Sequence, residues 1–167
     1  MDWIDFFEKW IWFGVAAIGF AILFNVPKRT LIPIFIMAAL GGSVKLVLLH
    51  WGDSLVLGTL LGAVLIGFLS IYAAHFKHSP PFVFAIPAVI PMVPGSYAYY
   101  TMKGIIKLAN NSNTTDFVPL LNDTITNGFK ALFILMAIAI GVFAPMLLTR
   151  RDSAKQIKMP LLKQDKK

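Results

Sequence analysis

The chain has 167 residues, of which 57% are hydrophobic and only 14% are charged, with a formal net charge of +7. Because ordinary soluble domains carry about 25% charged residues, this composition excludes a typical soluble globular protein and favours one embedded in a lipid bilayer. The chain contains no cysteine, which excludes disulfides, thiolate nucleophiles and metal sites built on cysteine.

The apolar residues come in blocks, and a membrane-spanning helix needs about 20 of them in succession. The blocks predict an all-α integral membrane protein with five spans in one transmembrane domain, residues 1–150. The predicted spans are residues 10–26, 31–49, 55–74, 81–108 and 128–148. Residues 151–167 are predicted to form a basic cytoplasmic tail, and no separate soluble domain is expected.

The first ten residues carry Asp2, Asp5 and Glu8, where a signal peptide would carry lysine or arginine. The first span is therefore expected to remain in the protein. Its aromatic residues suit a membrane interface, where amphipathic rings sit at the level of the lipid headgroups.

Basic residues alternate between the connections. Lys28 and Arg29 follow span one, Lys77 follows span three, and a basic run follows span five, whereas the connector over residues 110–127 carries Asp116 and Asp123. By the positive-inside rule this pattern predicts an outer N-terminus and an inner C-terminus. We therefore interpret the net charge as a topology signal and predict no nucleic-acid partner; the tail also suits anionic lipid.

Half of the ten prolines fall within the short apolar stretch that forms the fourth predicted span. They are Pro80, Pro81, Pro87, Pro91 and Pro94. Proline removes a backbone N–H and clashes with the carbonyl four residues earlier, which would free the carbonyls of Val83, Pro87 and Ile90. Free carbonyls at membrane depth need protein or water. The pattern is typical of a discontinuous transport helix, and the alternative is a kinked helix that serves only packing.

The sequence Pro94-Gly95-Ser96 predicts a break, followed by a new helix through about residue 108 with Ser96 as its cap. The first N–H groups of such a helix attract anionic groups. Together with Pro91, these three residues are predicted to bind substrate near the middle of the bilayer. A bulky residue at Gly95 is expected to block close approach and to disfavour any positive φ there.

Lys45 lies in the second predicted span, beside Gly41, Gly42 and Ser43. Two interpretations stay open for it. Its long side chain reaches the nearby interface, or it faces the interior of the bundle and balances a substrate carboxylate. The small residues beside it would let a partner backbone or a substrate come close.

Tyr100, Lys103 and Lys107 share one face of the helix that follows the break. They are predicted to line an outward path for anions, with Tyr100 and Lys103 as substrate-binding residues; the alternative is a lysine pair that reaches the outer interface. His75 and His78 are helically spaced but have no third ligand nearby, so no metal site is expected. No catalytic set is present, and neither an enzyme nor a cofactor is predicted.

Small residues recur at a spacing of four in two spans. The pairs are Gly58 with Gly62, Ala63 with Gly67, and Ala137 with Gly141. Such pairs allow close helix approach in lipid, without identifying the neighbouring helix.

Two stretches carry a resemblance to a known family. They are Gly19-Phe20-Ala21 with Phe24-Asn25-Val26-Pro27, and the segment from Ala88 to Gly95, AVIPMVPG. Over about residues 10–150 the chain resembles the small subunit, or C-terminal half, of the threonine/serine exporter (ThrE) family.

The resemblance implies a subunit of a secondary exporter in the bacterial inner membrane. Fused members carry two five-span halves, and split members place the halves on two chains, of the kind linked to succinate export. The expected partner is therefore a larger ThrE-type subunit, and the expected cargo is a small carboxylate-bearing metabolite: serine or threonine, or succinate. The alternative function is a membrane scaffold or assembly subunit that transports nothing.

Overall fold

The computed structural model describes residues 3–52, 54–110 and 117–149. The predicted basic tail, Asp53 and Asp116 lie outside these residues. The described residues form six α-helices, which are α1 (Trp3–Leu23), α2 (Leu31–His50), α3 (Leu55–Lys77), α4 (Phe82–Val89), α5 (Gly95–Asn110) and α6 (Phe117–Thr149). Short 3-10 turns at Lys28–Thr30 and Ile90–Met92 precede α2 and follow α4.

Four of the helices, α1, α2, α3 and α6, are long and apolar enough to cross a membrane. A fifth span results when the bent pair Phe82–Met92 and Gly95–Asn110 is taken as one. The predicted all-α, multi-span fold with a broken fourth span is thus confirmed. Which side of the membrane each connection faces stays a prediction from the distribution of charge.

Local chemistry sets the ends of the helices. The hydroxyl of Ser54 accepts a hydrogen bond of 3.1 Å from the Leu57 N–H and so caps the start of α3. The helix ends at His78, which has the left-handed backbone conformation with φ of 48°. The guanidinium of Arg29 donates to the Ser79 hydroxyl at 3.3 Å. The connections after α1 and after α3 therefore lie at the same end of the bundle.

Helix α3 packs between α2 and α6, and glycines allow both contacts. A methyl group at Gly62 would lie 2.5 Å from the carbonyl oxygen of Gly41 on α2. On the opposite face, a methyl at Gly141 of α6 would lie 2.7 Å from Cβ of Ala63. The spaced small residues therefore pack helices closely, as predicted, and the structure identifies their neighbours as α2 and α6.

Helix α6 contradicts the expected connector over residues 110–127, because the chain is helical from Phe117 onward. Its 33 residues make a helix about 50 Å long, well beyond the hydrocarbon thickness of about 30 Å. Its first half packs against α5, where a methyl at Gly128 would lie 3.3 Å from Thr101. Its second half packs against α3. Asp123 is consequently a helical residue, and it lines a cleft together with residues of α5.

Helix α4 carries the largest buried side chain of the core, Phe84, together with Ala85 and Ala88, all with no exposed surface. It packs against α1, α2 and α3. The first half of the broken span is therefore enclosed by three helices, whereas α5 leaves the bundle and packs mainly on α6.

Candidate functional site

The break lies where the prolines predict it. Helix α4 ends at Val89, the single 3-10 turn Ile90–Met92 follows, and α5 begins at Gly95 with its axis bent by 58°. One expectation about this region is wrong: the Ile90 carbonyl is not free, because it accepts a hydrogen bond of 2.9 Å from the Val93 N–H. In an α-helix the donor to this carbonyl would come from residue 94, which is a proline and has no N–H. The tighter 3-10 turn uses the Val93 N–H, three residues on, instead.

The carbonyl oxygen of Met92 instead accepts a hydrogen bond of 3.2 Å from Nζ of Lys45. In a continuous helix this carbonyl would accept from the N–H of Ser96, four residues on, and the break removes that partner. Met92 is fully buried and Lys45 is half-buried. Lys45 is thus directed toward the break and satisfies one of its backbone groups.

The start of α5 leaves backbone donors available. The Gly95 N–H donates to the Val93 carbonyl at 2.9 Å and the Ala98 N–H to the Pro94 carbonyl at 3.1 Å. Within the described residues, the N–H groups of Ser96 and Tyr97 make no backbone hydrogen bond. Such donors, at the positive end of a helix dipole, favour anionic groups. Because α5 begins at Gly95, Ser96 lies inside the first turn and is not the cap.

The residues that frame the break differ in exposure. Pro94 is buried and Pro91 half-buried, whereas Gly95 and Ser96 are exposed. A methyl group at Gly95 would meet no atom within 4 Å, and its φ is not in the left-handed region. Neither the backbone conformation nor a neighbouring atom of the described residues therefore requires glycine at this position.

A separate cleft of about 190 Å³ lies between α5 and α6. It is lined by Tyr100, Lys103, Gly104 and Lys107 from α5 and by Leu120, Asp123, Thr124 and Asn127 from α6. The predicted face of Tyr100, Lys103 and Lys107 thus exists and opens onto one cleft. Tyr100 and Lys103 lie in this cleft, while Lys45 bonds to the break, so the predicted site residues form two groups.

The sequence reasoning missed the α6 wall of this cleft. The sequence predicts a polar connector over residues 110–127 because this stretch is rich in Asn, Thr and Asp. The connector would contain Asp123, Thr124 and Asn127. Their spacing of one, three and four residues was the available signal, since it puts them on one face of a helix.

The arrangement suits reversible binding of a small polar solute. It offers backbone donors and one ammonium at the break, and charges of both signs in the cleft. Within residues 3–52, 54–110 and 117–149, no three His, Asp or Glu side chains come together to hold a metal ion. A broken membrane helix with available N–H groups at the start of its second part is typical of secondary transporters.

Comparison with known proteins agrees with this class. The family model described as Threonine/Serine exporter, ThrE, matches residues 9–148 of this chain. The chain belongs to this family, which is a family of transport proteins.

One similar relative comes from Haemophilus influenzae and is described as an uncharacterized protein. It is 34% identical over 139 residues, which cover 83% of this chain and 46% of the relative. This chain therefore spans about half the length of that relative. No solved structure matches the chain.

Proposed function

We propose that this chain is one subunit of a secondary exporter in the bacterial inner membrane. It moves a small carboxylate-bearing metabolite outward: serine or threonine, or succinate. The observation that carries the proposal is the break itself, where the Ser96 and Tyr97 N–H groups are available and Lys45 reaches the Met92 carbonyl. Membership of the exporter family supports the transport role.

The proposal includes a larger partner subunit. The matched relative is about twice as long as the region it shares with this chain, since 139 residues are 46% of its length. The relative therefore contains a further region of about the same length, and in our proposal a larger ThrE-type subunit carries the counterpart of that region. Five spans are an odd number, so a related half inserted with the opposite orientation would complete an inverted-repeat transporter.

Exposed donors at the break support the same conclusion. Ser96, whose N–H is available, is exposed in the isolated chain, and backbone groups at membrane depth are tolerated only against protein or a water-filled cavity. The partner and the substrate path between the two subunits would provide both.

The test is efflux from bacteria that lack this gene, lack the gene for the partner, or have both restored. Cells are loaded with serine, threonine or succinate, and the external metabolite is measured over time. We expect efflux of at least one of the three to fall in each deletion strain and to return only when both genes are present. Efflux restored by this chain alone would contradict the subunit assignment. Unchanged efflux of all three would reject these cargoes and favour the scaffold alternative.

A further inference from the structure

We propose that the cleft between α5 and α6 is a second binding site, which recognises the two opposite charges of an α-amino acid zwitterion. This inference rests on the proposed export function. Lys103 and Lys107 line one wall and Asp123 lines the other. A substrate carboxylate would bind the lysine ammonium groups and a substrate ammonium would bind the Asp123 carboxylate, both through charge-assisted hydrogen bonds.

The two walls are built in the same way. Residues 100, 103, 104 and 107 of α5, and residues 120, 123, 124 and 127 of α6, follow the spacing that puts side chains on one helical face. The helices touch closely between them, since a side chain at Gly104 would overlap the hydroxyl of Thr124. This contact brings the lysine wall and the Asp123 wall to the same small cleft.

Lys103, Lys107 and Asp123 line the cleft as exposed residues. The hydrogen bonds that described side chains make in this stretch run from Thr101 to the Tyr97 carbonyl at 2.8 Å and from Thr124 to the Leu120 carbonyl at 2.7 Å. Neither connects a lysine to Asp123. The amide of Asn127 also lines the cleft and offers both a donor and an acceptor to a bound solute.

The size of the cleft limits the cargo to a small metabolite, and its charges distinguish among the proposed cargoes. The cleft of about 190 Å³ is smaller than the roughly 300–1,000 Å³ of sites for drug-sized ligands, so it suits a metabolite with few non-hydrogen atoms. Asp123 attracts the ammonium of a zwitterion but repels the second carboxylate of a dicarboxylate. A zwitterion can pair its carboxylate with the lysines and its ammonium with Asp123, whereas a dicarboxylate bound to the lysines leaves Asp123 without a counter-charge and close to a carboxylate. We therefore expect the cleft to favour serine or threonine over succinate.

The place of the cleft along α5 suits a solute that has left the break. Tyr100 follows Ser96 by about one helical turn, and Lys107 lies about two further turns toward the end of the helix. With the orientation predicted from charge, the cleft lies on the outer side of the break. A solute on its way out would bind at the break first and in the cleft second.

The site is tested by protection of a reporter cysteine from a water-soluble thiol reagent. The chain has no cysteine of its own, so Leu120→Cys provides a single reporter in membranes that also contain a cysteine-free partner. Serine is expected to slow the labelling, and succinate to slow it much less. With Asp123→Asn added, about tenfold more serine should be needed for the same protection, as expected for the loss of one charge-assisted hydrogen bond.

Lys130→Gln is the matched control, because Lys130 lies over the Tyr97 ring, 5.6 Å from its centroid, outside the cleft lining. It should leave the protection by serine unchanged. Asn127→Cys reports only whether water reaches the cleft, because this change removes the amide that would contact the solute. Equal protection by serine and succinate, or protection by serine that does not depend on Asp123, would overturn the proposal. Failure of both reporters to react would also overturn it, because the cleft would then be closed to water.

Efflux measured in the same cells separates this proposal from the proposed function. Serine efflux without protection of the reporter overturns the cleft site and retains the exporter. Protection without efflux of serine, threonine or succinate retains the cleft and overturns the exporter.

Discussion

The ammonium group of Lys45 on α2 donates a hydrogen bond of 3.2 Å to the carbonyl oxygen of Met92, the last residue of the turn that interrupts the fourth span. The bond ties α2 to the point from which α5 departs. It also replaces the donor that the helix itself would have supplied through Ser96. A change at Lys45 is therefore expected to affect both the stability of the break and its affinity for an anionic cargo.

Replacing Lys45 by methionine tests this relationship, because methionine has a similar length and no donor. Loss of the hydrogen bond to a buried carbonyl is expected to lower the free energy of unfolding by about 1–3 kcal/mol. The measurement is thermal unfolding of the purified protein in detergent. Lys9→Met, at an exposed position of α1, is the control, and equal stability of Lys45→Met and the wild type would contradict a role for the bond.

Lys45→Gln tests the role of the positive charge in transport. If the substrate carboxylate approaches the break, loss of this charge should weaken export of succinate more than export of serine, because the serine ammonium is already repelled by Lys45. Initial efflux rates over a range of internal concentrations of each metabolite measure the effect. Equal losses for both cargoes would limit Lys45 to its structural bond with Met92.

Substitutions at Gly95 distinguish contacts within this chain from contacts with a bound substrate or partner. A methyl group there meets no atom of the chain within 4 Å, so Gly95→Ala and Gly95→Val should both leave folding and membrane insertion unchanged. If a substrate or the partner approaches the break, Gly95→Val should reduce efflux while Gly95→Ala reduces it less. Wild-type efflux from Gly95→Val would reject Gly95 as part of the binding site.

Gly62 and Gly19 form a matched pair for helix packing. A methyl at Gly62 would lie 2.5 Å from the Gly41 carbonyl oxygen and 2.7 Å from the Met92 side chain, whereas one at Gly19 meets nothing within 4 Å. Gly62→Ala is expected to cost about 1–3 kcal/mol, because α2 and α3 must move apart. Gly19→Ala should leave the unfolding temperature equal or slightly higher. Equal effects of the two changes would contradict the observed contact between α2 and α3.

Thiol labelling tests whether water reaches the break. Val93 and Ser96 are exposed in the isolated chain, whereas Ala88 is fully buried. In membranes with a cysteine-free partner, Ser96→Cys and Val93→Cys should react with a charged thiol reagent, and Ala88→Cys should not. If Ser96→Cys reacts as slowly as Ala88→Cys, the break is dry and is not part of an aqueous path.

The class of the protein and the position of the break follow from local features of the sequence. Apolar blocks of about 20 residues suffice to predict membrane helices because the bilayer sets their length. The break between Met92 and Gly95 follows equally from local chemistry, since each proline removes a donor from its own helix whatever surrounds it. Helices α2 and α3 also begin at the first residues of their predicted spans, Leu31 and Leu55.

Which side chains meet depends instead on how the helices pack. The sequence leaves two interpretations open for Lys45. The packing of α2 against the break directs Lys45 toward the Met92 carbonyl, which accepts its hydrogen bond. Asp123 is predicted to lie in a connector, but in the structure it lines a charged cleft because α6 begins at Phe117 and packs along α5. Hydropathy records which segments are apolar, but contacts between helices depend on their rotation and register, which are fixed by packing at residues such as Gly62 and Gly104.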